Sequence, residues 1–254
     1  MKRRGLLLSL GMVGGLLGVW QAAGLLVGRG EGSLFAGPTD VVRGAWEVMR
    51  TGELLHHARV SMSRLVAGFL LASAVGVPLG LLMGTSARAE SLLDATLEML
   101  RPIPPIAWIP LAIIWFGVGD QAGIFLVFLG AFFPMLVNTI AGVKRVDRNL
   151  VRAARTFGVR QAQLVREVIL PGALPLILTG SRIGLGLGWV VIIAAELAGA
   201  QAGLGYSIQW NREQLRVDLI LVYMATIGLI GAAMDLCLRR AQARLLPWWG
   251  LERR

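Results

Sequence analysis

Long apolar segments alternate with short polar ones along most of the chain. Six of them have about 20 residues or more, the length that a helix needs to cross about 30 Å of hydrocarbon. They occupy residues 5–27, 65–83, 91–117, 124–143, 175–197 and 219–238. This pattern predicts an all-α, multi-pass membrane protein with about six transmembrane helices. We treat residues 1–254 as a single domain, because the sequence shows no internal repeat and no low-complexity segment.

The N-terminal segments are predicted to be a first span and an outer surface helix. Residues 1–27 place a long apolar run after three basic residues. A signal peptide would have a shorter core and a cleavage site of small residues, so we favour a retained helix.

Residues 28–59 form the outer segment, in which Pro38 opens a helix and Gly52 ends it. We expect this helix to lie flat on the membrane. Its apolar side is formed by Val41, Val42, Ala45, Val48 and Met49. The adjacent His56 and His57 are interpreted as solvated helix residues.

Prolines interrupt the third apolar segment, at residues 102, 104, 105 and 110. Proline at this density breaks a helix and frees backbone carbonyl groups, which a lipid-facing segment does not tolerate. We therefore expect this stretch to face the protein interior or a water-filled path. The candidate residues of a translocation path are Arg101, Pro104, Pro105, Trp108, Asn138, Arg182, Trp189 and Glu196.

Each charged residue of this set has a second interpretation. An arginine at membrane depth is costly and usually faces a cavity or a partner. Arg101 either faces an anion in the path or is structural or cytosolic, with Glu98 as a partner. Arg182 either lines the path or extends to the cytosolic edge. Glu196 is either a gate residue or the partner of a helix terminus, and for the two tryptophans core packing is the simpler interpretation.

Small residues recur in the fifth apolar segment, at Gly180, Gly184 and Gly188. Glycines four residues apart let a second helix approach closely. The neighbour is either a helix of the same subunit or a second copy of the chain.

Composition agrees with a membrane protein and explains the net charge. Of the 254 residues 56% are hydrophobic, and the mean hydropathy of +0.67 is too high for a soluble globular protein. The net charge of +10 is concentrated at both predicted termini and in the central polar loop. This excess of basic residues predicts that both termini and the loop lie on the cytosolic side of a bacterial inner membrane. Because membrane topology explains the positive charge, the charge does not indicate nucleic acid as a partner. The single Cys237 excludes an internal disulfide, and we expect no metal site.

The central polar loop, residues 144–171, is predicted to dock a partner protein. It contains seven basic and two acidic residues. Leu150, Ala154 and Phe157 recur at helical spacing. Gly158 is placed to end this helix, and Pro171 is predicted to stop a second one. Two short helices joined at a glycine turn would present a surface for another protein.

Several motifs resemble one family of membrane proteins. In the loop they are Arg152, Ala153, Ala154, Gly158, Ile169, Leu170 and Pro171. They resemble the EAA loop of permease subunits of binding-protein-dependent ABC importers, although the first residue, acidic in that family, is Arg152 here. Further similarity lies in R-P-I-P-P-I-A-W-I-P-L (101–111), W-F-G-V-G (115–119), residues 188–196 and G-L-G-Y-S-I (203–208). Together these resemble the nitrate, sulfonate and taurine branch, from about residue 35 to 245.

The resemblance implies a type I importer permease fold, with core spans within residues 60–238 and a cytosolic tail at 239–254. It implies a homodimeric pore, two cytosolic ATPase subunits that dock at the loop, and an extracytoplasmic solute-binding protein. ATP and Mg²⁺ would be bound by the ATPase, and no cofactor by this chain. The implied solute is a small anion such as a sulfonate, taurine or nitrate, with a vitamin or pyrimidine precursor as the alternative.

Motifs of self-contained catalysis are absent from the sequence. There is no G-x-x-x-x-G-K-[ST], H-E-x-x-H or G-x-S-x-G, so the chain has no P-loop for ATP. A membrane-embedded enzyme would need polar catalytic groups at one depth, and none is apparent. A secondary transporter would show inverted repeats and a buried carboxylate, and the sequence indicates neither.

Overall fold

The computed structural model describes residues 2–27 and 35–245, and only the backbone of residues 2–10 and 13. Every regular element in these ranges is helical. A 3₁₀ turn at Pro105–Trp108 and a π-helical turn at Val165–Ile169 separate some of the α-helices. The α-helices are α1 Lys2–Val27, α2 Pro38–Arg50, α3 Glu53–Thr85, α4 Ala87–Leu100, α5 Ile109–Phe116, α6 Asp120–Arg145, α7 Arg148–Thr156, α8 Gln161–Leu164, α9 Leu170–Gly199, α10 Leu204–Glu213 and α11 Val217–Leu245.

The predicted all-α, multi-pass architecture is confirmed. Four stretches of the described chain are long and apolar enough to cross a membrane: α3, α6, α11 and the stretch Gln161–Glu213. A fifth is counted if α4 and the segment Pro105–Phe116, which meet at 80°, form one broken span. The third apolar segment, residues 91–117, is therefore not one continuous helix, because the prolines interrupt it. In the predicted first span the structure describes the apolar part Gly14–Leu26, and side chains at 5–10 lie outside the described residues, so a total of six stays a prediction.

The core consists of α6 between α3 and α9, and glycines set how closely these helices approach. A Cβ added at Gly180 would lie 2.7 Å from the Cβ of Asn138, and one at Gly184 2.9 Å from the carbonyl oxygen of Ala131. Gly188 is buried against the side chain of Val127 in the same way. Of the two neighbours considered for this glycine series, the structure therefore shows α6 of the same chain.

Two helices extend beyond the predicted apolar segments. α3 begins at Glu53, directly after Gly52, whose φ of +78° separates it from α2. The added turns are helical because Leu54, Ala58 and Met62 pack against the buried core. α11 continues to Leu245, into what was drawn as a tail from residue 239.

The proline at the end of the central loop does not stop a helix, so that prediction was wrong. The backbone is helical without a break from Gln161 to Gly199, and Pro171 lies in the first turn of α9. Just before it, the N–H of Leu170 reaches the carbonyl of Val165 in the wider π pattern. Pro171 has no N–H to donate, and the wide turn accommodates it without ending the helix.

The surface helix α2 forms as predicted, with Pro38 in its first turn, but its apolar residues face two directions. Val48 is buried and Val41 and Ala45 pack beside it. Val42 and Met49, with Trp46, remain more than half exposed. The inner side of α2 contacts α11, because Gly44 lets Leu219 come close.

Candidate functional site

A cavity of about 360 Å³ contains three of the predicted path residues. Arg101 at the end of α4, Pro105 of the 3₁₀ turn and Asn138 of α6 all line it. The rest of the lining comes from α6, α9 and the link between α4 and the 3₁₀ turn, and it is apolar, apart from a glycine. The lining residues are Ile103, Leu129, Gly130, Phe133, Pro134, Val137, Ile183 and Leu187.

Among the residues that the structure describes, Arg101 is the only charged one that lines this cavity. The side chain is exposed, and the described part of the chain places no carboxylate within 4 Å of it. The alternative pairing with Glu98 is therefore not formed. A guanidinium is always ionised and presents planar donors that match an anion, so an unpaired one in a mostly apolar cavity is suited to hold a negative group.

The other predicted path residues lie elsewhere. Pro104 is exposed outside the cavity, and the ring of Trp108 packs 6.4 Å from that of Trp115. Trp189 is buried and donates to the carbonyl of Ile227 at 3.3 Å. Arg182 donates to Asp235 of α11 at 2.7 Å. Both tryptophans thus make packing contacts, and Arg182 is an ion-pair partner between α9 and α11.

A buried ion pair between Arg64 and Glu196 lies near the C-terminal end of α9. This pairing was not predicted. Glu196 is 2% exposed and Arg64 4%. The Nη1 of Arg64 donates to Glu196 Oε1 at 2.9 Å, and the hydroxyl of Ser61 donates to the same carboxylate at 2.8 Å. Arg64 also donates to Asp120 at 2.7 Å and to the carbonyl of Ala202 at 2.7 Å. The chain therefore contains a buried carboxylate, Glu196, whose oxygens accept hydrogen bonds from Arg64 and Ser61.

This ion pair holds the first turn of α10. Glu196 accepts the N–H of Gly205 at 3.0 Å, and Ser61 accepts the N–H of Leu204 at 2.9 Å. The Nδ1 of His57 accepts the N–H of Gly203 at 3.1 Å. A helix begins with unsatisfied N–H groups, and these side chains satisfy them. Glu196 thus has the contacts of a helix-terminus partner. His57 is half-buried, so the expectation of a solvated side chain was wrong for it.

Arg64 was missed because it stands next to the apolar segment that begins at residue 65, where an arginine is taken for an interfacial residue. The available signal was Ser61 and Arg64 three residues apart, which places both on one side of a helix. A partner 132 residues away in sequence cannot be read from that spacing.

The central loop has the predicted helix, glycine turn and second helix. Gly158 has a φ of +75° and open space around it. Ala154 and Val151 of α7 pack toward the buried Ile169. Phe157 is 86% exposed and Leu150 59%, so an apolar surface of α7 faces outward.

The sequence of the chain is similar to sequences of known membrane transport proteins. Residues 76–250 match the family model described as binding-protein-dependent transport system inner membrane component. The taurine transport system permease protein TauC of Escherichia coli is 44% identical over 197 residues, covering 78% of this chain and 72% of that protein. The putative aliphatic sulfonates transport permease protein SsuC of Bacillus subtilis is 36% identical over 247 residues, covering 97% and 89%.

A more distant relative and a solved structure extend the comparison. The bicarbonate transport system permease protein CmpB of Synechococcus elongatus is 35% identical over 176 residues, covering 69% of this chain and 63% of that protein. The inward-facing MetNI methionine ABC transporter matches with a TM-score of 0.64 at 20% identity, covering 82% of this chain and 97% of the matched one. At that identity the match shows the fold alone.

Proposed function

The chain belongs to the family of inner-membrane components of binding-protein-dependent transport systems, as a permease subunit of an ABC importer, and we propose that it forms half of a homodimeric pore for a small anion. Membership of this family implies an ATPase subunit and a binding protein as partners. We further propose which solute the pore carries, that two copies form the pore, that the loop faces the cytosol, and that the loop docks the ATPase.

The observation that carries the anion proposal is Arg101 in its cavity. No described carboxylate pairs with it there, and the walls contributed by α6 and α9 are mostly apolar. A guanidinium without a protein partner presents all its planar donors to an anion. Asn138 adds an amide to the same cavity. Relatives named for taurine, aliphatic sulfonates and bicarbonate support a small solute with an acidic oxygen group. A vitamin or pyrimidine precursor remains the second candidate from the sequence.

The homodimer proposal is supported by one side of α9. Ile183, Leu187 and Val190 follow each other at helical spacing and are each about half exposed, and the first two also line the cavity. A second copy packed there would enclose the cavity between two subunits. Native mass spectrometry of the assembled complex should give two copies of this chain, and one copy beside a different permease would contradict the proposal.

The coupling proposal assigns the outward surface of α7 to the ATPase. The exposed Phe157 and Leu150 provide an apolar contact of the kind found at protein interfaces. Both termini and the loop would lie in the cytosol, as the basic residues indicate. ATP binding and hydrolysis would be carried out by the partner, which biases the permease between two conformations.

The test of the solute proposal is uptake by the complex reconstituted in vesicles with its binding protein. Loss of a hydrogen bond to a charged group corresponds to about a ten- to hundred-fold change. Arg101→Gln should therefore lower uptake of taurine or methanesulfonate by that factor while ATP hydrolysis is retained. Arg101→Lys, which keeps the positive charge, should retain part of the uptake.

Arg88→Gln, at an exposed position of α4, the helix that Arg101 follows, is the matched control and should transport normally. An Arg101→Gln complex that fails to assemble would make Arg101 structural. A binding protein from the same system that is stabilised by neutral or cationic compounds, and by neither sulfonates nor bicarbonate, would refute the anion assignment.

A further inference from the structure

A second cleft, of about 630 Å³, lies along α7 and is strongly basic. Arg148, Arg152 and Arg155 line one wall, and Lys144 lines another. The acidic residue of the lining is Glu90, and it is bonded to Lys144. In the described part of the chain none of the three arginines has a carboxylate within 4 Å. Three uncompensated positive charges therefore share one cleft.

The positions of these arginines on α7 keep them away from the apolar surface assigned to the ATPase. An α-helix has about 3.6 residues per turn, so residues four and seven apart fall on the same side. Arg148, Arg152 and Arg155 have that spacing, whereas Leu150 and Phe157 fall on the far side. A protein docked on the apolar surface would leave the arginine side facing the cleft.

The cleft lies where two membrane helices end. Gly84 and Thr85, at the end of α3, and Val143, near the end of α6, line it together with the arginines. Apolar helices of this length end near the lipid headgroups. Basic pockets between transmembrane helices at the cytoplasmic surface are suited to acidic headgroups.

We propose that this cleft binds a phosphate-bearing anion through Arg148, Arg152 and Arg155, and that an acidic lipid headgroup is the source its position favours. Like charges held close together repel, and a bound dianion or phosphodiester removes that repulsion. The guanidinium fork matches two phosphate oxygens at once, and Glu90, the carboxylate of the lining, is bonded to Lys144 and not to these arginines. A free phosphate compound has the same chemistry and is the other source. The proposal does not depend on which solute the pore carries.

The experiment measures anion binding to the purified complex in detergent by the shift in its thermal unfolding midpoint. The probes are dihexanoyl phosphatidylglycerol, dihexanoyl phosphatidylcholine and sodium phosphate, with sodium chloride at matched ionic strength as reference. The cleft variant is Arg148→Gln with Arg152→Gln and Arg155→Gln. The control variant is Arg145→Gln with Arg160→Gln and Arg166→Gln, three exposed arginines of the same loop that do not line the cleft.

Phosphatidylglycerol should stabilise the wild type and the control variant at similar concentrations, and phosphatidylcholine should not. Each arginine near an acidic headgroup contributes about five-fold to binding, so the cleft variant should need on the order of a hundred-fold more lipid. Stabilisation by sodium phosphate that also depends on the cleft arginines would identify free phosphate compounds as a further source. Equal binding by the cleft and control variants would overturn the proposal. A cleft variant that keeps its lipid but loses the ATPase subunit would also overturn it, by assigning the arginines to the protein partner.

Discussion

Removing the charge of Glu196 should destabilise the permease, and removing Arg64 with it should restore part of the loss. Counted without their backbones, the side chains of Glu196 and Arg64 are 1% and 5% exposed, so neither charge can be compensated by water. Glu196→Gln leaves Arg64 with Asp120 and one carbonyl group as partners. Arg64→Met leaves the carboxylate with Ser61 and the N–H of Gly205.

The magnitudes follow from burial. Breaking a buried ion pair by removing one partner costs about 3–5 kcal/mol, because the other charge is left buried. The remaining partners of Arg64 place Glu196→Gln near the lower end, at about 3 kcal/mol. In the double variant neither charge is left behind, so its cost should fall about 2 kcal/mol below the sum of the single costs. Asp120→Asn is the control, since that side chain is 69% exposed and its pairing is worth less than about 1 kcal/mol.

The assay is reversible unfolding in mixed micelles with increasing dodecyl sulfate, followed by tryptophan fluorescence. A double-mutant cycle of the wild type, the two single variants and the double variant yields the coupling free energy. Single costs that add to within about 0.5 kcal/mol would refute the reasoning. So would an Asp120→Asn variant as unstable as Glu196→Gln, because the exposed carboxylate would then be the one that holds Arg64.

Two further predictions concern the loop and the orientation of the chain. Gly158→Val should leave the chain inserted but lower uptake per ATP hydrolysed, because a side chain at a φ of +75° costs about 1–2 kcal/mol and shifts the turn. Gly52→Val, between α2 and α3, where φ is +78° and a Cβ also meets open space, is the control, and normal coupling by the Gly158 variant would contradict the assigned turn. In a Cys237→Ser background, Thr156→Cys should react with an impermeant thiol reagent only after the membrane is opened, and Gln201→Cys in sealed spheroplasts. The reverse reactivity would exclude a cytosolic loop.

Much of the fold could be predicted because length and polarity determine it. An apolar run of about 20 residues must form its own hydrogen bonds inside lipid, so it is helical. Helix ends were harder to predict. Glu53 and Leu245 extend helices beyond the apolar runs, because helices continue into polar surroundings where local contacts support them. Pro171 was misjudged because a π-helical turn, which has no clear sequence signal, precedes it.

The candidate site was predicted only in part, for a physical reason. Arg101, Pro105 and Asn138 share a cavity because the proline-rich break lies beside α6, and proline density is visible in sequence. Arg182 and Arg64 have partners that are far away along the chain. Which of two buried charges meet depends on the rotation of packed helices, and a pattern along one helix does not specify that rotation.

The uninterrupted helical backbone from Gln161 to Gly199 also has a mechanical consequence. At about 1.5 Å per residue it forms a rod of about 58 Å, with the loop at one end and Glu196 near the other. If it tilts as a rigid body by about 5° about its loop end, its far end moves by about 5 Å. A small rotation of the helix at the loop would then produce a displacement of several ångström at the first turn of α10. Stiffness of the π-helical turn decides how much of that displacement is transmitted.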